Sequence, residues 1–182
     1  MRVSKSLTLV LGGARAGKSS YAQHLAAGGG RVLFVATAEA GDEEMRARIE
    51  AHRLARPGEW DTLEEPIDLA GALSPVLDRY DTILLDCLTL WVSNLLLKDQ
   101  GVGTTRKVVL VEVQRLLDTY RSGSASWIVV SNEVGMGVVP STKLGRIYAD
   151  ELGRVNQIVA SEADSVYLIV AGLPVPIEKP TT

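Results

Sequence analysis

The chain has 182 residues, of which 46% are hydrophobic and 23% are charged, and its net charge at pH 7 is −3. This composition is typical of a soluble globular protein, and the length predicts a single domain over residues 1–182. The acidic balance argues against nucleic acid as a partner. Cys87 is the one cysteine, so no internal disulfide can form and we expect a reducing, cytoplasmic location. No apolar run is long enough to span a membrane, and the amino terminus lacks the apolar core of a signal peptide.

A glycine-rich segment near the amino terminus carries the strongest local motif. An apolar run at residues 7–11 predicts a buried strand, and the spacing Gly12-x4-Gly17-Lys18-Ser19 that follows is that of a phosphate-binding loop. Glycines let backbone N–H groups point at phosphate oxygens, Lys18 can reach the β- and γ-phosphates, and the Ser19 hydroxyl can ligate Mg²⁺. A chance glycine-rich turn is the alternative. The helix predicted over residues 19–27 supplies the context that favours a nucleoside triphosphate site.

Strands and helices alternate along the rest of the chain. Further buried strands are predicted at residues 31–36, 81–86, 126–131 and 165–171, with an edge strand at 174–177 and a strand or extended connection at 60–65. Helices are predicted at residues 43–54, 67–77, 88–97, 104–120 and 141–162. Pro75 is expected to shorten the second of these helices. The alternation predicts an α/β fold of three layers, in which helices cover a mostly parallel central sheet.

Several polar residues follow predicted strands, at the edge where ligands bind in open α/β folds. This edge gathers the phosphate-binding loop with Thr37, Asp86, Asn132 and Glu133. Asp86 ends an apolar strand, so we favour a role in organising Mg²⁺ together with Ser19, the alternative being an Asp that caps the following helix. Glu133 opens a glycine-rich loop. It could act as a general base or accept a hydrogen bond from substrate, although an ordinary strand-to-helix connection has the same appearance.

The chain has two histidines, His24 and His52. His24 lies in the first predicted helix and is interpreted as a structural or surface residue. His52 stands among Arg48, Arg53 and Arg56, a cationic setting that disfavours a second proton and favours anions. A neutral imidazole is a competent nucleophile towards phosphorus. Spacing alone does not establish this role, because a core or surface histidine is the more common case.

Three further features stay open from the sequence. Residues 88–97 are apolar nearly all round, which fits either a core helix or a contact between subunits. Arg154 and Asn156 lie on the last long helix and are interpreted as a solvated face or a subunit contact. That helix carries an apolar stripe that begins at Leu144. Cys87 is interpreted as a small buried hydrophobic residue.

Seven segments together resemble one enzyme family from the first predicted strand to the last. They are Gly-Gly-Ala-Arg-Ala-Gly-Lys-Ser (12–19), Val-Ala-Thr (35–37), residues 42–49, His-Arg-Leu-Ala-Arg-Pro (52–57) with Trp60, Leu-Leu-Asp (84–86) with residues 94–96, Ser-Asn-Glu-Val-Gly-Met-Gly-Val-Val-Pro (131–140) and Gly-Arg-Val-Asn-Gln (153–157). In order and spacing they are similar to the bifunctional adenosylcobinamide kinase/adenosylcobinamide-phosphate guanylyltransferases of cobalamin biosynthesis. Residues 132–137 are far more specific for this family than the phosphate-binding loop is.

The resemblance implies two reactions in a RecA-like P-loop domain that assembles as a homotrimer. ATP or GTP phosphorylates the aminopropanol hydroxyl of adenosylcobinamide, and GMP then passes from GTP through a histidine to give adenosylcobinamide-GDP. His52 matches the family's nucleophile, while Lys18 and Mg²⁺ would offset charge on the reacting phosphates. Asn132 and Glu133 are candidates for substrate contact. Nucleotide contacts are implied at Gly12, Gly13, Ala14, Arg15, Ala16, Gly17, Lys18, Ser19, Ala36, Thr37, Ala38, Arg53, Leu54, Ala55, Arg56, Glu64 and Asp86.

The sequence departs from the family pattern at three places. Residues 1–6 extend beyond the usual start and predict a flexible lead. Asp86 stands where some members have Glu, and Leu54 and Ala55 replace more polar residues. The segment that carries His52 is expected to fold over the phosphate-binding loop and close on GTP.

Two other functions compete with the one that the resemblance implies. The first is another RecA-like P-loop kinase or ATPase, in which His52 is structural. The second is a non-enzymatic nucleotide-gated switch, against which we note that the chain has no Asn/Thr-Lys-x-Asp guanine-reading motif.

Overall fold

The computed structural model describes residues 4–39, 41, 43, 46–47, 50, 53, 56–98 and 105–179. The strands of its central sheet are β1 (Leu7–Gly12), β2 (Val32–Ala36), β3 (Asp61–Glu64), β4 (Thr82–Asp86), β5 (Ser126–Val130), β6 (Ser165–Val170) and β7 (Leu173–Ile177). They lie in the order β3-β2-β4-β5-β1-β6-β7, and every pairing is parallel except that of β6 with β7. The carboxyl ends of six strands therefore meet at one edge.

Helices connect the parallel strands. Those whose bounds are described are α1 (Lys18–Ala26), α2 (Leu69–Leu73), α3 (Leu88–Lys98), α4 (Thr105–Ser122) and α5 (Lys143–Glu162). Between β2 and β3, the described residues Glu43, Arg46, Ala47, Glu50 and Arg53 are helical and exposed, in agreement with the helix predicted at 43–54. Within the described residues, none of the helices has both the length and the apolar character needed to cross a membrane.

Side chains of each strand pack alternately into two cores, one on each face of the sheet. Leu9 and Leu85 belong to the core formed with α3, α4 and α5. Their neighbours Val10 and Leu84 belong to the opposite core, with Ala22 of α1. This alternation follows from the period of two along a strand. It confirms the predicted three-layer α/β fold, because both faces of the sheet are apolar and both are covered.

Several predicted elements are resolved by the structure. The helix predicted at 67–77 is divided, since α2 ends at Leu73 and a 3₁₀ turn occupies Leu77–Arg79. Pro75 lies between them, and a proline has no N–H group with which to continue the hydrogen bonds of the helix. The uncertain segment at 60–65 contains a true strand, β3, which pairs with β2. The predicted edge strand at 174–177 is confirmed as β7.

Lys5 corrects the prediction of a flexible lead over residues 1–6. Its Nζ donates hydrogen bonds to the carbonyl oxygens of Tyr120, Arg121 and Gly123 at 2.5, 3.1 and 2.7 Å. The same atom lies 4.3 Å from the centre of the Tyr120 ring. The ammonium group thus satisfies carbonyls at the end of α4 and meets an aromatic face. The prediction does not hold at Lys5, because the sequence does not show that α4 ends where this residue can reach it; residues 1–3 lie outside the described residues, where it stays a prediction.

The apolar helix α3 is part of the core. Its buried hydrophobic residues are Leu88, Trp91, Val92, Leu95 and Leu96. The helix packs against both α4 and α5. Of the two interpretations of residues 88–97, core helix or subunit contact, the structure supports the core helix for this face.

Candidate active site

Two glycines shape the loop between β1 and α1. A Cβ atom at Gly12 would lie 2.7 Å from the carbonyl oxygen of Ile169, so only glycine leaves room for β6 beside the loop. Gly17 precedes α1 with a φ of +100°, in the left-handed region that favours glycine. The Ala16 carbonyl accepts a 2.9 Å hydrogen bond from the N–H of Gly172 in the β6–β7 turn. The path of the loop is therefore fixed by backbone contacts to β6 and to the β6–β7 turn.

Lys18 and Ser19 begin α1 at the end of this loop. Lys18 is only 9% exposed, and its Nζ donates a 2.6 Å hydrogen bond to the carbonyl oxygen of Gly13. The first N–H groups of a helix lack partners within the helix and carry the positive end of its dipole. The loop, the ammonium group and the start of α1 together form a cradle for phosphate oxygens.

The sheet order places the ends of β4 and β5 beside this cradle. Because β5 lies between β1 and β4, residues that follow β5 project between the phosphate-binding loop and Asp86. The Glu133 N–H donates to the Gly12 carbonyl oxygen at 3.1 Å, which holds Asn132 close to the loop. Asn132 and Asp86 therefore line the same cavity as the cradle.

These elements enclose a cavity of about 480 Å³ at the carboxyl edge of the sheet. That volume is suitable for a ligand the size of a nucleotide. The described residues that line it are Ala14, Arg15, Ala16, Gly17, Lys18, Ser19, Ser20, Phe34, Ala36, Ala38, Arg56, Asp86, Cys87, Thr89, Leu90, Val130 and Asn132.

Arg56 forms the wall of the cavity opposite the phosphate-binding loop. Its guanidinium lies 3.5 Å from the centre of the Phe34 ring, and its Nη1 donates to Thr62 Oγ1 at 3.4 Å. Burial lowers the pKa of Arg56, while the carboxylates of Asp86 and Glu64 act in the opposite direction. Its Nε is buried and has no hydrogen-bond partner among the residues that the structure describes. Arg56 also lines the cavity, and its positive charge makes it a suitable partner for an anionic ligand.

Thr37 lies behind the cavity, in a network that fixes the connection after β4. It is fully buried, and its Oγ1 donates to the Cys87 carbonyl oxygen at 2.7 Å and accepts from the Cys87 N–H at 3.0 Å. Asn94 Nδ2 donates to the Thr37 carbonyl oxygen at 2.8 Å. These bonds set the position of Asp86, one residue earlier. The hydroxyl of Thr37 is therefore used within the protein, and its predicted contact with nucleotide stays a prediction.

Asn156 is buried, so its interpretation as part of a solvated face or a subunit contact is wrong. It is only 5% exposed, its Nδ2 donates to the Asn132 carbonyl oxygen at 2.9 Å, and its Oδ1 accepts from Ser131 Oγ at 2.7 Å. Thr89 Oγ1 accepts from the Asn132 N–H at 2.8 Å. α3 and α5 thus hold the segment after β5 from two sides. Arg154 remains partly exposed.

Glu133 directs its carboxylate towards its own loop. Its Oε1 accepts a 2.7 Å hydrogen bond from the N–H of Gly135. The residue lies outside the described lining of the cavity. A role as base or acceptor for substrate stays a prediction, whereas a role in shaping the loop is visible.

The structure brings together part of the predicted set. Gly12, Gly13, Thr37, Arg53, Glu64 and Glu133 are described but do not line the cavity. Glu64 is nevertheless close to it, because it is exposed and stands opposite Ala36 in the pairing of β3 with β2. His52, Leu54 and Ala55 lie outside the described residues. His24 is exposed, as expected of a surface residue.

Sequence reasoning missed several lining residues. They are Ser20, Phe34, Cys87, Thr89, Leu90 and Val130. Four of the six are apolar and lie in β2, in β5, in the β4–α3 connection or in α3, so in the sequence they look like core. Their one signal is position, since each lies within four residues of a predicted site residue.

The fold and the cavity define a P-loop protein that binds a nucleotide. The structure is similar to the crystal structure of the RadB recombinase, with a TM-score of 0.50 and 16% identity, over 91% of this chain and 74% of that chain. This likeness shows the fold, which is RecA-like.

A family model described as cobinamide kinase/cobinamide phosphate guanyltransferase matches residues 8–177. The chain is 46% identical over 171 residues to the bifunctional adenosylcobalamin biosynthesis protein CobP of Pseudomonas aeruginosa, covering 93% of this chain and 96% of that protein. It is 38% identical over 180 residues to the bifunctional adenosylcobalamin biosynthesis protein CobU of Escherichia coli, covering 94% and 99%. The chain therefore belongs to the cobinamide kinase/cobinamide phosphate guanyltransferase family. This confirms the resemblance drawn from the motifs and sets aside the two competing functions.

Proposed function

We propose that ATP or GTP phosphorylates the aminopropanol hydroxyl of adenosylcobinamide in the cavity described above. GMP then passes from a second nucleotide, GTP, through His52 to the phosphorylated product, which gives adenosylcobinamide-GDP. The observation that carries the proposal is the convergence of the phosphate-binding loop, Asp86 and Arg56 on one cavity, in a chain of this family.

In the kinase step, the hydroxyl oxygen of the substrate attacks the γ-phosphorus of the nucleotide. The bond between that phosphorus and the β,γ-bridging oxygen breaks, and a nucleoside diphosphate leaves. Lys18 turns from the Gly13 carbonyl, its partner at 2.6 Å, to the β- and γ-phosphates. Glu133 is the candidate to accept the hydroxyl proton. Positioning and electrostatic stabilisation supply most of the catalysis of such a transfer.

Ser19 and Asp86 are the residues that would hold Mg²⁺. Both line the cavity, and hydroxyl and carboxylate oxygens are the ligands that Mg²⁺ takes, with phosphate oxygens and waters completing the set. Bound there, the ion would neutralise charge on the phosphates of the nucleotide. The donor set of the cavity therefore fits the ion, with Asp86 held in place through Thr37 and Cys87.

In the transferase step, a ring nitrogen of His52 attacks the α-phosphorus of GTP. The bond to the bridging oxygen breaks, pyrophosphate leaves, and GMP remains joined to the histidine by a P–N bond. A phosphate oxygen of adenosylcobinamide phosphate then attacks that phosphorus, the P–N bond breaks, and free histidine is restored. A covalent intermediate divides one difficult displacement into two easier ones. The cationic wall formed by Arg56 supports both.

We assign the remaining nucleotide contacts to residues that the family resemblance implies. They are Gly12, Gly13, Thr37, Arg53, Leu54, Ala55 and Glu64. We further propose that the enzyme is a cytoplasmic homotrimer. Light scattering of the purified protein checks the assembly, since a mass of one or two chains would contradict it.

The test uses GTP labelled at the α-phosphate, incubated with Mg²⁺ and purified protein in the absence of corrinoid. The wild type is expected to retain label after denaturation as an acid-labile adduct of the mass of GMP. His52→Ala is expected to retain none, whereas the matched variant His24→Ala labels as the wild type does. A wild type that hydrolyses GTP without an adduct would contradict the histidine intermediate. An adduct that persists in His52→Ala would contradict the assignment of the nucleophile.

A further inference from the structure

A cluster of exposed apolar side chains lies beyond the end of β5. Met136, Val138 and Val139 are 78%, 95% and 74% exposed, and Leu144, in the first turn of α5, is 52% exposed. We call these four residues the apolar rim. The sequence predicts Leu144 as the first member of the buried stripe of α5, and the structure instead leaves it at the surface. Exposed apolar residues that cluster, rather than occur singly, mark interaction sites.

The segment that carries the apolar rim is anchored at both ends. It begins at the cavity, where Asn132 lines the wall and the Glu133 N–H donates to the Gly12 carbonyl oxygen at 3.1 Å. It ends at α5, where Arg146 Nη1 donates to the Pro140 carbonyl oxygen at 3.0 Å. The segment that carries the rim therefore starts at the wall of the cavity, and Met136 lies three residues beyond the bond to Gly12.

The segment is also uncharged. Between Glu133 and Lys143 the sequence is Val-Gly-Met-Gly-Val-Val-Pro-Ser-Thr, without an acidic or basic residue. Its two glycines are exposed, so at these two positions no side chain covers the backbone between the apolar residues. Such a surface suits a broad, weakly polar ligand with amide groups at its edge, and not a free anion.

We propose that the apolar rim binds the corrin ring of the cobinamide substrate, an inference that rests on the proposed function. The cavity of about 480 Å³ is of the size that one nucleotide fills. A corrin macrocycle with its amide arms must then remain outside, with only the hydroxyl-bearing arm reaching the γ-phosphate. The apolar rim is the surface beside the mouth of the cavity on which the ring comes to rest, its amide arms meeting the exposed backbone of the segment.

A second copy of the chain is the other occupant to consider. A stable interface between subunits takes roughly 20 to 30 residues from each partner. The apolar rim offers four residues, an area that matches a ligand better than a subunit. Its continuity with the cavity further favours the substrate, because a subunit contact does not require the rim to start at the phosphate-binding loop.

The test compares the double variant Met136→Ser/Val138→Ser with wild type and with Ile177→Ser. Ile177 is 44% exposed and pairs with Val166 at the opposite edge of the sheet, which makes it a matched apolar control. In the double variant the KM for adenosylcobinamide is expected to rise about tenfold, as loss of part of the apolar contact predicts. The KM for the nucleotide, and GMP labelling in the absence of corrinoid, are expected to stay unchanged. Val138→Ile should behave as wild type.

An unchanged KM for adenosylcobinamide in a folded double variant would overturn the proposal. A double variant that loses subunits in light scattering would also overturn it, in favour of a contact between copies. Labelling with GMP tests the proposed function by itself, since that reaction needs no corrinoid. If wild type fails to label, the histidine intermediate fails while the corrinoid KM still tests the apolar rim.

Discussion

The two walls of the nucleotide cavity are built in different ways. The phosphate-binding loop is held by backbone hydrogen bonds to its neighbours, including 2.9 Å from the Gly172 N–H to the Ala16 carbonyl oxygen and 3.1 Å from the Glu133 N–H to the Gly12 carbonyl oxygen. Arg56, on the opposite wall, is positioned by contacts of its side chain. Its guanidinium lies 3.5 Å from the centre of the Phe34 ring, and it donates a weak hydrogen bond of 3.4 Å to Thr62.

This difference indicates that the two walls have different roles, one rigid and one adaptable. Backbone bonds resist displacement, so the loop offers a fixed frame for the phosphates common to both reactions. A side-chain stack can give way and re-form, so Arg56 can follow the change from attack at the γ-phosphorus to attack at the α-phosphorus. We therefore expect changes on the loop wall to affect both reactions strongly, and changes on the arginine wall to have smaller effects.

Lys18→Ala should produce the largest loss. Removing the ammonium group that we propose binds the reacting phosphates is expected to lower kcat/KM about 10²- to 10³-fold in both reactions. Steady-state assays of phosphoryl transfer and of GMP transfer measure it, with the melting temperature as a check on folding. A variant that loses one activity and keeps the other would show that the loop does not serve both.

Gly12→Ala tests whether backbone contacts fix the loop wall. The added Cβ would lie 2.7 Å from the Ile169 carbonyl oxygen, and we expect a loss of about 2 kcal/mol in the free energy of unfolding. Gly13→Ala is the matched control in the same loop, because nothing lies within 4 Å of its added Cβ. Urea unfolding measures both. Equal stability of the two variants would contradict a tightly fixed loop.

Arg56 gives a smaller effect with a chemical signature. Arg56→Ala is expected to weaken GTP binding about tenfold, and Arg56→Lys to recover part of that loss, because lysine keeps the charge without the planar stack on Phe34. Isothermal titration calorimetry measures the Kd. Arg31→Ala serves as control, since Arg31 pairs with Asp81 at the surface away from the cavity. Wild-type affinity for GTP in Arg56→Ala would contradict a contribution of the arginine wall to nucleotide binding.

The two walls also differ in how far the sequence could predict them. The loop wall is local, so the spacing Gly12-x4-Gly17-Lys18-Ser19 between a strand and a helix was sufficient. Asp86 and Asn132 followed from strand ends, because parallel strands share a carboxyl edge. Phe34 could not be found this way, since an apolar strand residue looks the same whether it faces the core or a cavity.

The sequence also could not show which side chains on a helix are buried. Asn156 was interpreted as solvated, but the packing of α5 buries it. Leu144, at the start of the same helix, was predicted to be buried and is exposed. Periodicity predicts a stripe, but the stripe's ends depend on neighbours distant in sequence. The same holds for Lys5, whose three carbonyl partners lie more than 100 residues away.

Cys87 lies on the floor between the two walls and gives the smallest predicted effect. Burial, with a further contribution from Asp86, raises the pKa of its thiol from 9.0 to about 11. The thiol therefore keeps its proton to higher pH in the folded state than in the unfolded state. Its contribution to the free energy of unfolding is fully present below pH 9 and is lost as the pH rises towards 11. Between pH 8 and pH 10 the free energy of unfolding of wild type should fall by about 1 kcal/mol relative to Cys87→Ala. Urea unfolding at both pH values measures this difference, and parallel behaviour of the two proteins would mean that the floor of the cavity is open to water.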